Sequence, residues 1–257
     1  MRIALQPAFI LHSRPLNETS SLLEAFTESY GRVSLVARAA RSRFRGILRP
    51  FTPLLISWSG KTELMNLSAV ESYGLPWTLS GSVLLSGIYL NEMLVRLLPR
   101  FDAHPRLFAQ YQQTLQCLQQ QHSKEPSLRL FEKTLLTELG YGLSLNQEAS
   151  GMPIVAEQSY VFIAGQGFSI SSCGTSLQRS PVFQGSSLLA FHHNTLEHLA
   201  DLRAAKQLTR LAIGSLLGNK PLKSRELFSY GHDFFPSPLV GEGKKLSSYL
   251  ASKLLHK

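Results

Sequence analysis

An arginine-rich segment is the strongest indication of a binding function in the sequence. It reads Arg-Ala-Ala-Arg-Ser-Arg-Phe-Arg-Gly-Ile-Leu-Arg over residues 38–49. Guanidinium groups bind phosphate oxygens through paired hydrogen bonds, and an aromatic ring beside them can stack on a base. The segment predicts a phosphate-binding loop whose candidate residues are Arg38, Arg41, Arg43, Arg45, Arg49 and Phe44. The alternatives are a solvated loop for the arginines and a core position for Phe44.

The distribution of charge supports a polyanionic partner. The net charge of +9 divides into +6 for residues 1–61, −4 for residues 62–202 and +7 for residues 203–257. From Arg32 to Lys61 there are seven basic residues and no acid. Basic residues that only solubilise a surface are interspersed with acids, whereas two basic blocks are typical of polyanion binding. Arg14 and Arg32, in the first block, join the predicted phosphate-binding residues.

A second basic block follows residue 202. Arg203, Lys206 and Arg210 are spaced by three and four, so they share one face of a predicted helix. Beyond Gly218, which ends that helix, the block continues with Lys220, Lys223 and Arg225. It predicts a surface for phosphate or for an acidic partner, and the alternative is an ordinary solvated face.

Catalytic and metal chemistry are not indicated. The sequence has neither a Gly-x-x-x-x-Gly-Lys loop nor a Gly-x-Ser-x-Gly turn, and its carboxylates are not clustered. Cys173 with His192, His193 and His198 matches no standard zinc spacing. We therefore expect a protein that is not an enzyme and binds neither metal nor cofactor. Residues 1–7 contain no export signal, and no apolar run is long enough to cross a membrane, so a cytoplasmic protein is expected.

The elements that must position these residues follow from hydrophobic patterning. Short apolar and β-branched runs separated by turns predict five strands: Ala8–His12, Leu22–Phe26, Arg32–Ala37, Leu54–Trp58 and Leu64–Val70. Five strands in about seventy residues suggest a small barrel of the OB-fold type. The arginine-rich segment is then the one long connection between barrel strands.

After Pro76 the apolar period becomes helical. It predicts helices around residues 84–97 and 107–118, a third from about Ser127 to Gly140, and a fourth from about Asn194 to Leu217. Residues 144–190 lack this helical period, and they predict a β-hairpin whose turn is Gly165-Gln166-Gly167. The predicted class is α+β: an OB-fold domain (1–78), a helical domain (79–230) with a small β-hairpin insert (144–190), and a poorly ordered basic tail (231–257).

Six stretches in order carry a resemblance to a known family: Ala8–Pro15, Gly31–Arg38, Leu48–Leu54, Gly87–Glu92, Phe131–Gly142 and Leu222–Phe228. They resemble the RecO family of bacterial recombination mediator proteins. The resemblance implies an OB-fold, a helical domain, and binding to single- and double-stranded DNA with annealing of complementary strands. It also implies action with RecR and with the acidic C-terminal tail of single-strand-binding protein. Many members hold zinc through paired cysteines, but residues 144–190 contain Cys173 alone, so zinc is not expected here.

An acidic peptide with an apolar end requires cations beside an apolar groove. We expect that groove on the third helix, opposite Lys206 and Arg210, with four residues lining it: Arg129, Phe131, Lys133 and Leu135. The alternative is that Phe131 and Leu135 are helix-packing core.

Three other functions share the composition arguments. The first is an RNA-binding OB-fold protein of translation or ribosome assembly, which only the helical-domain stretches oppose. The others are a nuclease using scattered acids and an adaptor for acidic proteins. A DNA-binding mediator associated with the nucleoid fits the sequence best.

Overall fold

Alternating burial along the N-terminal strands closes them into a barrel. A computed structural model describes residues 1–38, 44, 46–120, 124–171, 181–218 and 220–225. Its first five strands are β1 (Arg2–Pro15), β2 (Ser21–Thr27), β3 (Gly31–Ala37), β4 (Leu54–Ser59) and β5 (Leu64–Ser72). Around the closed barrel they follow the order β1-β2-β3-β5-β4, with β3 and β5 parallel and the other pairs antiparallel. The predicted OB-fold is confirmed.

The interior of the barrel is apolar because alternate side chains of each strand point inward. Ile10, Leu35, Ile56 and Trp58 are fully buried there. β1 is long enough to pair with both β2 and β4, and its register shifts between Ile10 and His12. These strands therefore form a rigid frame for the loops at their ends.

Five helices make up most of the rest of the described chain: α1 (Gly81–Leu97), α2 (Pro105–Gln119), α3 (Lys124–Glu138), α4 (Gly185–His193) and α5 (Leu199–Leu217). The helical pattern after Pro76 is therefore confirmed. α3 begins at Lys124 rather than near Ser127, because Pro126 is tolerated in the first turn of a helix.

The insert is larger than a hairpin. β6 (Ser159–Ile163) and β7 (Gly167–Ile170) form the predicted hairpin, and β8 (Val182–Gln184) pairs with the other edge of β6. The predicted insert of residues 144–190 also contains the start of α4, which begins at Gly185. Tyr160 and Phe183 pack with α4 and α5 in a small core of their own.

A further hydrophobic core, separate from the barrel interior, lies between the barrel and the helices. The ring of Phe9 on β1 lies 5.5 Å from that of Phe108 and 5.2 Å from that of Tyr111, both on α2. The side chain of Asn91 on α1 donates a hydrogen bond of 3.0 Å to the carbonyl oxygen of Leu11. The orientation of α1 relative to β1 is therefore fixed by both apolar packing and a buried hydrogen bond.

Within the described ranges, every helix is too short or too polar to cross a bilayer. The predicted basic tail from residue 231 lies outside the described residues.

Candidate nucleic-acid interface

The arginine-rich segment connects β3 to β4 at the rim of the barrel. Arg38, directly after β3, and Arg49 are exposed or partly exposed, whereas Arg41, Arg43 and Arg45 lie outside the described residues. Phe44 is only 7% exposed and packs against the barrel core. Phe44 therefore occupies the alternative position, in the core, instead of the proposed stacking position.

Arg32 has a structural role instead of the predicted phosphate contact. Its guanidinium donates to Oε2 of Glu24 at 2.8 Å and to the carbonyl oxygen of Leu98 at 3.0 Å. Its side chain is only 14% exposed. Ser34 also donates to Glu24, at 2.7 Å. Because its side chain is largely buried and its charge is paired with Glu24, Arg32 is removed from the candidate interface.

A cleft of about 410 Å³ opens on this side of the barrel, between the strands and α1. Its lining includes His12 and Arg14 from β1, Glu24 from β2, and Arg100 from the turn after α1. Arg100 lies 3.5 Å from Glu24 and 3.1 Å from Glu63. Both acids of the cleft are therefore neutralised, while Arg14 is exposed and belongs to no ion pair among the described residues.

The C-terminal part of the second basic block, residues 220–225, is attached to α1, the helix that borders the cleft: the backbone N–H of Lys223 donates to Glu92 at 2.8 Å. Burial lowers the pKa of His12 below its ordinary value of 6.5, and the positive charges of Arg14 and Lys223 lower it further, against an opposing effect of Glu24. Lys220 and Lys223 are exposed and Arg225 is partly exposed. Both ends of the chain therefore bind neighbouring residues of one helix: Lys223 binds Glu92 of α1, and Leu11 of β1 binds Asn91 of α1.

His12 and Arg100 were not identified from the sequence. His12 has a weak signal, because it stands two residues before Arg14 on one strand and so shares its face. Arg100 has no such signal in the sequence, since its acidic partners, Glu24 and Glu63, lie on separate parts of the barrel.

The predicted groove on α3 is wrong. Phe131 and Leu135 are 0% exposed and belong to the core between α2, α3 and α5, so they cannot receive an apolar end. Arg129 is 6% exposed and pairs with the buried carboxylate of Glu132 at 3.0 Å. Burial of an arginine requires such a partner, and here it removes the cation from the surface.

Lys133 is also occupied. Its ammonium donates to the carbonyl oxygens of Phe191 and His192 and to Oδ1 of Asn194, each at 2.8 Å. These acceptors end α4, so Lys133 caps that helix and joins it to α3. Partial burial lowers the pKa of Lys133.

The basic face of α5 is open. Arg203, Lys206 and Arg210 are all exposed, and the one ion pair among them within the described residues is a distant contact of 3.7 Å between Lys206 and Glu125. Leu199 is 70% exposed and Leu211 is 36% exposed on the same helix. None of the residues of this cationic stripe or its apolar neighbours lines the cleft. Cys173 lies outside the described residues, so the absence of zinc stays a prediction.

The geometry defines an OB-fold barrel joined to a helical domain, with Arg14 and Arg100 in the lining of one cleft. Residues 1–75 match the family model "Recombination protein O N terminal", and residues 80–226 match "Recombination protein O C terminal". The chain belongs to the RecO family.

Named relatives agree with this assignment. The chain is 46% identical over 230 residues to a DNA repair protein RecO of Coxiella burnetii (strain RSA 331 / Henzerling II), covering 88% of this chain and 98% of the relative. It is 44% identical to that of Stutzerimonas stutzeri (strain A1501), covering 87% and 92%. For Aliivibrio fischeri (strain MJ11) the identity is 40%, covering 89% and 96%.

Proposed function

We propose that this protein is a DNA recombination mediator that binds single- and double-stranded DNA and anneals complementary strands in recombinational repair. The observation that carries the proposal is that both basic blocks are attached to α1: Lys223 through its backbone bond to Glu92, and β1, which carries Arg14 in the lining of the cleft, through the bond from Asn91 to Leu11. Membership of a family whose named relatives are DNA repair proteins supports it. We place its action in the cytoplasm, in association with the nucleoid.

The mechanism is electrostatic. Two strands repel one another through their phosphates, and a protein that binds both lowers that repulsion because its cations neutralise phosphates. The counterions released from the DNA make this binding favourable and salt-dependent. Contacts to phosphate carry no sequence information, which suits a protein that must act at any break. Annealing breaks no covalent bond, so we propose that the protein is not an enzyme.

Partners follow from the second surface. We propose that the basic stripe of α5 binds the acidic C-terminal tail of single-strand-binding protein. Arg203, Lys206 and Arg210 would meet its carboxylates, and Leu199 with Leu211 would meet its apolar end. This assignment replaces the buried residues of α3. Action with RecR is part of the same proposal and rests on family membership alone.

Equilibrium binding tests the proposal. Affinity is measured for single-stranded DNA, double-stranded DNA and single-stranded RNA of equal length, each over a series of salt concentrations. We expect both DNA forms to bind with affinity that falls steeply with salt. A clear preference for RNA would favour the RNA-binding alternative and contradict the proposal.

A further inference from the structure

The C-terminal segment 220–225 is held on α1 by its backbone. Both oxygens of the Glu92 carboxylate accept hydrogen bonds at 2.8 Å, one from the backbone N–H of Lys223 and one from that of Ser224. The guanidinium of Arg96 donates to the carbonyl oxygens of Lys220, at 2.5 Å, and Pro221, at 2.8 Å. Four hydrogen bonds to charged groups therefore hold this segment along its length.

The geometry of α1 explains how the side chains of Glu92 and Arg96 can both bind this segment. Glu92 and Arg96 are four residues apart, so they lie on the same face of the helix, one turn from each other. Between their two attachment points, Leu222 is 0% exposed and enters the core shared by the barrel and the helices. The segment is thus fixed at its start, middle and end.

This attachment leaves the side chains of the lysines free to act. Lys220 and Lys223 are exposed although their backbone groups are bound. α1 is itself fixed to β1 through the hydrogen bond from Asn91 to Leu11. One rigid path therefore runs from β1, which carries Arg14, through α1 to the lysines of the second block.

We propose that Glu92 and Arg96 are positioning residues for DNA binding: they hold Lys220 and Lys223 beside Arg14 so that the two basic blocks act as one continuous phosphate-binding surface. This inference rests on the proposed function. Glu92 is negatively charged and would by its charge weaken binding of a polyanion. It strengthens binding instead, because it holds the lysines in position.

The sign of one substitution tests the inference. Glu92→Gln removes a negative charge, so electrostatics alone predicts unchanged or tighter binding to DNA. Positioning predicts weaker binding, because the amide keeps only one of the two acceptor oxygens, so the segment is held less firmly at Lys223 and Ser224. We expect affinity for a single-stranded oligonucleotide to fall by about 3- to 25-fold, since each exposed ionic interaction contributes up to about fivefold. The log–log salt slope should shrink by about one, at roughly 0.7 for each phosphate that the variant no longer neutralises.

The matched control is Glu157→Gln, the same charge change at an exposed residue of the insert. It should leave affinity unchanged or slightly higher. A double-mutant cycle supplies the readout that a general structural defect would not give. In a chain carrying Lys220→Ala and Lys223→Ala, Glu92→Gln should cost little further affinity, because the residues that it positions are already gone.

Each outcome decides the matter. If Glu92→Gln binds as well as Glu157→Gln, or if its effect adds fully to that of the lysine substitutions, the positioning role is wrong while the proposed function stands. If the unaltered protein binds no DNA, both fail. Should Glu92→Gln not fold, Glu92→Asp replaces it, since aspartate keeps the charge and shortens the reach. Weaker binding at the same net charge is then expected, and unchanged binding would overturn the inference.

Discussion

Gly31 lies against the backbone of Asp102 so closely that a Cβ atom on it would sit 1.7 Å from the Asp102 carbonyl oxygen. Gly31 begins β3, and the neighbouring N–H of Phe101 donates to the carbonyl oxygen of Arg32 at 3.0 Å. The turn after α1 is thereby docked on the barrel. Glycine is required here both for this close approach and for its positive φ of 62°.

Gly31→Ala should therefore destabilise the protein by about 2–5 kcal/mol, from overpacking against backbone added to left-handed strain. Unfolding in urea measures the change in the free energy of unfolding. The control is Gly165→Ala in the hairpin turn, where φ is +80° but a Cβ would meet nothing within 4 Å. That substitution should cost only about 1–2 kcal/mol. Equal destabilisation at the two positions would show that the close approach to Asp102 adds nothing.

The pKa of His12 tests whether the basic blocks meet. Lys223→Gln should raise that pKa towards 6.5, because the charge of Lys223 lowers it, while burial still holds it below this value. Titration of the imidazole by NMR measures the shift, and Lys61→Gln serves as a control at an exposed lysine. An unchanged pKa in Lys223→Gln would separate the C-terminal segment from the cleft.

The lowered pKa of His12 determines how the free energy of unfolding changes with pH. The unfolded chain binds the proton of His12 more readily than the folded one, so acid favours unfolding. The contribution of His12 to stability is therefore full above about 6.5 and decreases as the pH falls below it.

The arginine-rich segment should provide phosphate contacts that are independent of sequence. Replacing Arg41, Arg43 and Arg45 with alanine removes about three such contacts, so the log–log salt slope on single strands should shrink by about two. Affinity is measured by fluorescence anisotropy across salt concentrations on oligonucleotides of different sequence. An unchanged slope in a folded variant would reject this assignment.

The stripe on α5 should act separately from the DNA surface. Lys206→Glu combined with Arg210→Glu should weaken binding of the tail peptide from several-fold to about a hundredfold, because both charges are reversed against an acidic partner. Annealing of naked strands should change much less. The arginine-segment variant is the control and should show the opposite pattern. Equal loss of both activities in both variants would contradict a division between the two surfaces.

The sequence was sufficient where one local pattern determines the structure. The five strands follow from alternation, and the long helices follow from a sustained apolar period. α4 was missed because its nine residues are short for a periodic signal and follow directly on a strand.

Contacts distant in sequence could not be predicted. The period of Phe131 and Leu135 shows that they share a face of α3, but it does not show that α2 and α5 cover that face. Lys133 looked like a free cation because its acceptors are backbone carbonyls about sixty residues away. Glu92 carried no signal either, since its partners are backbone N–H groups about 130 residues later in the chain.

Strand annealing tests the central claim most directly. Complementary labelled oligonucleotides are mixed with the protein, first naked and then coated with single-strand-binding protein, and duplex formation is followed over time. The account predicts faster annealing of both substrates. The arginine-segment variant should slow annealing on both, and the α5 variant should slow it only on coated strands. Annealing no faster than the spontaneous rate on either substrate, with a folded protein at low salt, would contradict it.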